Sequence, residues 1–316
     1  MKKDQFRLGL LYALVSEVLF GFSFLFTKKV TGSLSPLTLL SWRFTAAFLA
    51  FNLCALAGVI RLDFRGKPVA SLIPVVVFQP VLSMIGEAVG VQLTTASESG
   101  VMMACIPVAA LLFSALILKV PPTRKQTAGV AIATAGVLTV VLAKGLEATF
   151  NPAGYAMLLL SVLSAGLYMV YSQKASAFTG VEKTYAMVAC GAVVFSILAL
   201  VEHAKSGTIL EFASLPFTNP DFLAAVLYLS LGCSVTAFFM YNTAIAAIGS
   251  NRTASFVGVC TVVSVAAGAV LLKEKVSLMQ IAGTALVLGG VTLANVHPGS
   301  TKPAVENLAE AAAAEG

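Results

Sequence analysis

Charge is what this chain has least of. Asp, Glu, Lys and Arg make up 11% of its 316 residues, where an average soluble domain carries roughly a quarter. A water-facing surface of ordinary size cannot be covered with so few. Histidine is scarcer still: His203 and His297 are the only two, at or beyond the ends of apolar runs. Asp4, Asp63 and Asp221 are scattered through connectors, and no HExxH, GxSxG, P-loop or Cys/His cluster occurs. A catalytic centre needs convergent groups, so these gaps argue against an enzyme, a resident metal or cofactor, and direct drive by ATP. Cys54, Cys105, Cys190, Cys233 and Cys260 all lie inside apolar runs, at spacings of neither a disulfide framework nor a zinc site. They read as inert packing residues. The net charge of +6 comes from residues in short connectors rather than one basic patch, which argues against nucleic acid as a partner.

Apolar sequence fills the space that charge leaves. Hydrophobic residues make up 58% of the chain and mean hydropathy is +0.93, in runs long enough to cross a hydrocarbon core of about 30 Å as helices. The chain reads as an all-α integral membrane protein, because a helix satisfies its own backbone in lipid. Ten transmembrane helices are expected, near 8–28, 36–59, 70–92, 98–119, 125–143, 152–173, 183–203, 221–245, 250–272 and 276–295. Residues 1–7 form a basic lead, but the apolar run behind them outlasts a signal h-region and lacks a small-residue cleavage site, so the first span reads as retained. Residues 144–151 read as a linker, 204–220 as the longest connector, and 296–316, Pro- then Ala/Glu-rich, as a disordered tail. With the N-terminus inside, thirteen Lys and Arg fall on the inner side and six on the outer. Both termini are therefore expected in the cytoplasm, and the short connectors point to a bacterial inner membrane. Trp42, near the outer end of the second span, reads as an interfacial anchor.

The halves resemble each other. A shift of 154 residues lays Gln126-Thr-Ala-Gly-Val-Ala131 on Gln280-Ile-Ala-Gly-Thr-Ala285 and Gly136-Val137 on Gly290-Val291; a shift of 145 aligns Gly9, Leu14, Ser16 and Gly21 with Gly154, Leu159, Ser161 and Gly166. Five spans per unit, an odd number, imply two inverted five-helix repeats, 8–143 and 152–295, an arrangement typical of secondary transporters. The stretch Leu271-Leu-Lys-Glu-Lys-Val-Ser-Leu-Met-Gln-Ile-Ala-Gly-Thr-Ala-Leu-Val-Leu-Gly-Gly-Val291 resembles the end of an EamA domain, and Ser97 to Pro107 resembles the fourth helix of the same domain. Arg43 sits where such domains often carry an arginine. The resemblance covers roughly residues 8–295 and implies a drug/metabolite transporter of the tandem EamA type. It departs at Lys119-Val-Pro121, where an acidic residue would be expected, and at Thr261, which replaces the proline matched to Pro107.

Ionisable groups inside a span are costly and mark function. Glu17 lies mid-way along the first span and has no acidic counterpart in the repeat, where Val162 aligns with it. It is a candidate for a substrate ammonium or a proton, against a purely structural carboxyl. Arg43 and Glu87 fall at similar depth and are expected to pair. Gln79, Ser83 and Glu87 are spaced i, i+4, i+8 on one helical face; Ser230, Ser234 and Tyr241 form a matching stripe, with Tyr241 on Glu87 under the 154 shift. Ser161, Ser164, Tyr168 and Tyr171 mark a further face. Serines also serve close packing between helices. Phe20, Phe22, Phe24 and Phe26 make no single face, and neither aromatics nor methionines are assigned to a site. Pro74, Pro80 and Pro107 are candidates for bends at a cavity or gate.

These residues point to a secondary transporter that moves a small polar metabolite, an amino acid or similar, by export or exchange. Its partners would be the small-molecule substrate and membrane lipid, with protons as one candidate coupling ion and a monomer sufficient. The alternatives are a carrier of a drug-like cation or sugar derivative, or a non-transporting membrane scaffold.

Overall fold

The computed structural model describes residues 3–118, 123–145, 150–254 and 256–295. The expected tail and half of the expected linker, 146–149, lie outside these residues, as does the departure at 119–121. Every regular element among the described residues is helical. Eight helices are long and apolar enough to cross a membrane. We number the helices α1 (Lys3–Thr31), α2 (Pro36–Leu56), α3 (Val69–Leu93), α4 (Ala96–Ile117), α5 (Arg124–Gly145), α6 (Pro152–Lys174), α7 (Gly180–Ser206), α8 (Ile209–Thr218), α9 (Pro220–Ile248), α10 (Val257–Leu271) and α11 (Leu278–Asn295). Helices α5 and α11 occupy the fifth and tenth expected ranges but are not among the eight. Helix α11 is a shorter apolar helix over Leu278–Leu293.

Caps written in the sequence set most starts. Ser35 accepts from Leu37 N with Pro36 at the first helical position, and Asn151 and Asn219 do the same ahead of Pro152 and Pro220. Thr95 with Glu98, and Thr179 with Glu182, form reciprocal capping boxes for α4 and α7.

The connector 204–220 is not loop. Gly207, at φ 69°, ends α7, and the ten-residue α8 follows. Pro216 denies that helix the amide that would bond the Phe212 carbonyl. Trp42 supplies the donor instead: its Nε1 reaches Phe212 O at 3.2 Å, with the two rings 5.6 Å apart. The tryptophan read as an interfacial anchor thus also mends a helix.

Two spans depart from regular α-helix where the repeat matches them. In α3, Gln79 is extended (φ −138°, ψ 117°) before Pro80, as a residue preceding proline prefers. In α9 a wide turn of helix runs from Tyr228 to Ala237, which the 154 shift places over the same stretch. Helix α4 also breaks, at Ala104 and Cys105 just ahead of Pro107.

Packing crosses the halves. Helix α1 lies against α9 and α10 of the second half, while α6 lies against α3 and α4 of the first. Helix α2 pairs with α7, and α5 with α11. The last pair closes on glycine: a Cβ on Gly290 would stand 2.3 Å from Ala133 N, and one on Gly136 would stand 2.6 Å from Val287 N. Small residues that admit close backbone approach are the usual means of packing helices in lipid.

Candidate functional site

Between α1, α2, α3, α4, α6, α9 and α10 lies a cavity that offers about 80 Å³ to the centres of water-sized molecules, room for several waters. Of the nine residues expected at a site, Glu17, Arg43, Gln79, Ser83, Glu87, Tyr168 and Tyr241 line it. Ser164 does not. It is buried on α6 at 3% exposure, one residue from Ala165, which does face the cavity. Ser234 is also absent from the lining, but it holds a residue that is present: Arg43 Nε donates to Ser234 Oγ at 2.8 Å.

That bond replaces the expected partner of Arg43. The ion pairs among the described residues are Lys29–Asp221 and Lys67–Glu182, and Arg43 and Glu87 come no closer than 4 Å. Both still face the same space, and Arg43 also lies 5.5 Å from the Phe44 ring centre. Glu87 is half-buried and opens on the cavity without a hydrogen bond from a described side chain. Arg43 itself is buried.

Glu17 is 3% exposed and lines the cavity. Cys260, from α10, lines it as well, a place in the site that its reading as inert packing did not give it. Ser83 Oγ meets Ser161 Oγ at 3.1 Å, joining α3 to α6. Tyr168 donates to Asn242 Oδ1 at 2.8 Å, and Tyr241 directs its hydroxyl at Met169 Sδ, 3.7 Å away.

The sequence reading passed over the apolar part of the site. Phe20, Phe24, Phe238, Met84, Met103 and Met169 all contribute to the wall. Phe20 packs 5.4 Å from Phe238 and 5.9 Å from Tyr241, centre to centre. A signal was present: Glu17, Phe20 and Phe24 are spaced i, i+3, i+7, one helical face. Asn242, fully buried behind Tyr168, was missed as well.

A protein whose described elements are all helical, with several helices apolar enough to cross a membrane and a cavity lined by charged residues, is, as a class, a multi-pass membrane protein with an internal cavity. Comparison with known proteins makes the class specific. The family model for the EamA-like transporter family matches twice, over residues 7–142 and 152–296, and this chain belongs to that family. It is 32% identical over 299 residues to the uncharacterized transporter YcxC of Bacillus subtilis (strain 168), covering 94% of this chain and 96% of the relative. An uncharacterized transporter of Archaeoglobus fulgidus is 22% identical over 276 residues, 86% of this chain and 92% of the relative. A solved crystal structure, 19% identical, superposes with a TM-score of 0.66 over 93% of this chain and 98% of its own, which establishes a shared fold. Family and relatives alike are transporters rather than enzymes.

Proposed function

We propose that this EamA-family protein is a secondary transporter carrying a small polar metabolite, an amino acid or similar solute, by alternating access. The carrying observation is the cavity itself, which Glu17, Arg43 and Glu87 all line beside a broken helix, α3, and a widened one, α9, at matched places in the two halves. Discontinuous helices at a repeat interface are a common way to build a transport site. The cross-wise packing of α1 on α9 and α10, and of α6 on α3 and α4, supports two inverted five-helix units, 8–143 and 152–295, with α5 and α11 as the fifth and tenth spans. In this reading Glu17 and Glu87 receive the cationic end of the solute, Arg43 an anionic end, and Tyr168 and Tyr241 pack against its body. Qualified charge in the membrane is tolerated because each group faces the cavity rather than lipid. Both termini are placed in the cytoplasm of a bacterial cell, by the excess of Lys and Arg on that side.

The test is counterflow in proteoliposomes loaded with unlabelled solute, over a panel of labelled amino acids and other small metabolites. Accumulation competed by the unlabelled form is expected for one class. Glu17→Gln should abolish or uncouple that uptake while leaving the protein folded. Transport kinetics that are unchanged in Glu17→Gln and flat across pH would remove Glu17 from the mechanism.

A further inference from the structure

One atom in the cavity wall has no partner. Gln79 is 5% exposed and lines the cavity, yet its Oε1 accepts no hydrogen bond from any described residue. Buried polar atoms are almost always bonded, and an orphan is costly. Its own helix does not help: Gln79 lies in the extended break of α3, and the next residue, Pro80, has no amide hydrogen.

Neighbouring hydroxyls are already committed. Ser83 is engaged with Ser161. Tyr168 gives its proton to Asn242 Oδ1, which also accepts from Ser172 at 3.2 Å, while the Asn242 amide donates to Thr184 Oγ1 and Phe238 O at 3.0 Å each. The Tyr168 proton is thus committed to Asn242.

Glu87 stands eight residues further along α3, on the order of 12 Å along a helix axis. The wall around the space includes Phe20, Met84, Met103 and Phe238. The cavity therefore has two carboxylates, an unpaired acceptor about two helical turns from one of them, Glu87, and apolar walls.

We propose that Gln79 Oε1 receives a hydrogen-bond donor, a hydroxyl or N–H, at the far end of an elongated amine whose ammonium is held by Glu17 and Glu87. This rests on the reading of the cavity as the solute site and adds the shape and chemistry of the solute: a cationic head, an apolar midsection and a terminal donor. A pocket built to bond a hydroxyl rejects the analogue that lacks it much more strongly than an apolar pocket rejects one that carries it.

The experiment uses the full chain in detergent and isothermal titration calorimetry with tyramine and 4-methylphenethylamine, which differ by hydroxyl against methyl. Tyramine is expected to bind at least about tenfold more tightly to the wild type. Gln79→Leu should bring the ratio close to one, and Gln79→Glu, which keeps an acceptor, should preserve the preference. If Gln79→Leu does not fold, Gln79→Met removes the acceptor from an unbranched side chain and serves in its place. Equal affinities in the wild type, a ratio unmoved by loss of the acceptor, or no binding of either amine would overturn the proposal. Binding is read without a membrane, so its failure is separable from failure of transport. Discrimination without any counterflow would sink the transport reading alone, and counterflow without discrimination would sink only the role of Gln79.

Discussion

Arg43 shows how one residue is kept in an apolar interior. Its guanidinium is buried in the bundle, and the bond it makes to a side chain is from Nε to Ser234. Removing that acceptor leaves a charged donor without its partner, an effect of about 1–3 kcal/mol. Ser234→Ala should therefore lower the detergent melting temperature, whereas Ser234→Thr, which keeps the hydroxyl, should retain most of the wild-type value. Equal melting of the Ala variant and the wild type would show that Arg43 finds another acceptor at no cost. At this scale the sequence was informative wherever a residue contrasted with its surroundings. Glu17, Arg43 and Glu87 stand out because charge in a spanning run demands a reason. Phe20, Phe24 and Met103 do not, since apolar residues in an apolar chain carry no contrast. Serine is ambiguous for another reason: Ser23 lines the cavity and Ser164 does not, yet both are small residues on buried helix faces.

Elements were legible where punctuation was local. The capping residues Ser35, Thr95, Asn151, Thr179 and Asn219 each stand at a helix start, and Pro80 and Pro107 announce breaks in α3 and α4. The wide turn at Tyr228–Ala237 contains no proline, so nothing in its composition disclosed it. Helix α8 was concealed because Pro216 reads as a helix breaker, and its repair comes from a residue 170 positions away in sequence. That repair can be measured. Trp42→Phe preserves most of the ring packing against Phe212 but removes the indole donor, so the Phe212 carbonyl loses that partner. Amide exchange over 209–218 is expected to quicken several-fold, on the order of 1 kcal/mol of local opening, while exchange in the middle of α7 stays unchanged. Identical exchange over 209–218 in both proteins would mean that ring packing alone holds α8.

Across the whole molecule, the halves are joined at side-chain hubs as well as by helix packing. Glu182, at the start of α7, accepts Lys67 Nζ at 2.7 and 2.8 Å and Asp63 N at 3.1 Å, fastening the α2–α3 connector to the second half. Glu274, between α10 and α11, accepts Ala96 N at 2.8 Å, Ser97 N at 3.0 Å and the Ser97 hydroxyl, and so caps α4 of the first half. A carboxylate at a helix N-terminus satisfies orphan amides and meets the positive end of the helix dipole. Nearby, Lys28 complements it by donating to the carbonyls of Val91, Gln92 and Thr94 where α3 ends. The acidic residue of the EamA-like stretch was visible as a motif in the sequence. Its partners were not, because they lie some 178 residues away and are mostly backbone amides, which no composition reveals. Glu274→Ala should uncap α4 and cut this tie between the halves. The melting temperature is then expected to fall, by an amount corresponding to about 1–3 kcal/mol, and amide exchange at Ala96 and Ser97 to accelerate. Glu274→Gln keeps one acceptor oxygen without the charge, so it should fall between the two. If Glu274→Ala melts with the wild type and leaves exchange at Ala96 and Ser97 unaltered, helix packing alone unites the halves and the carboxylate contributes nothing to holding them.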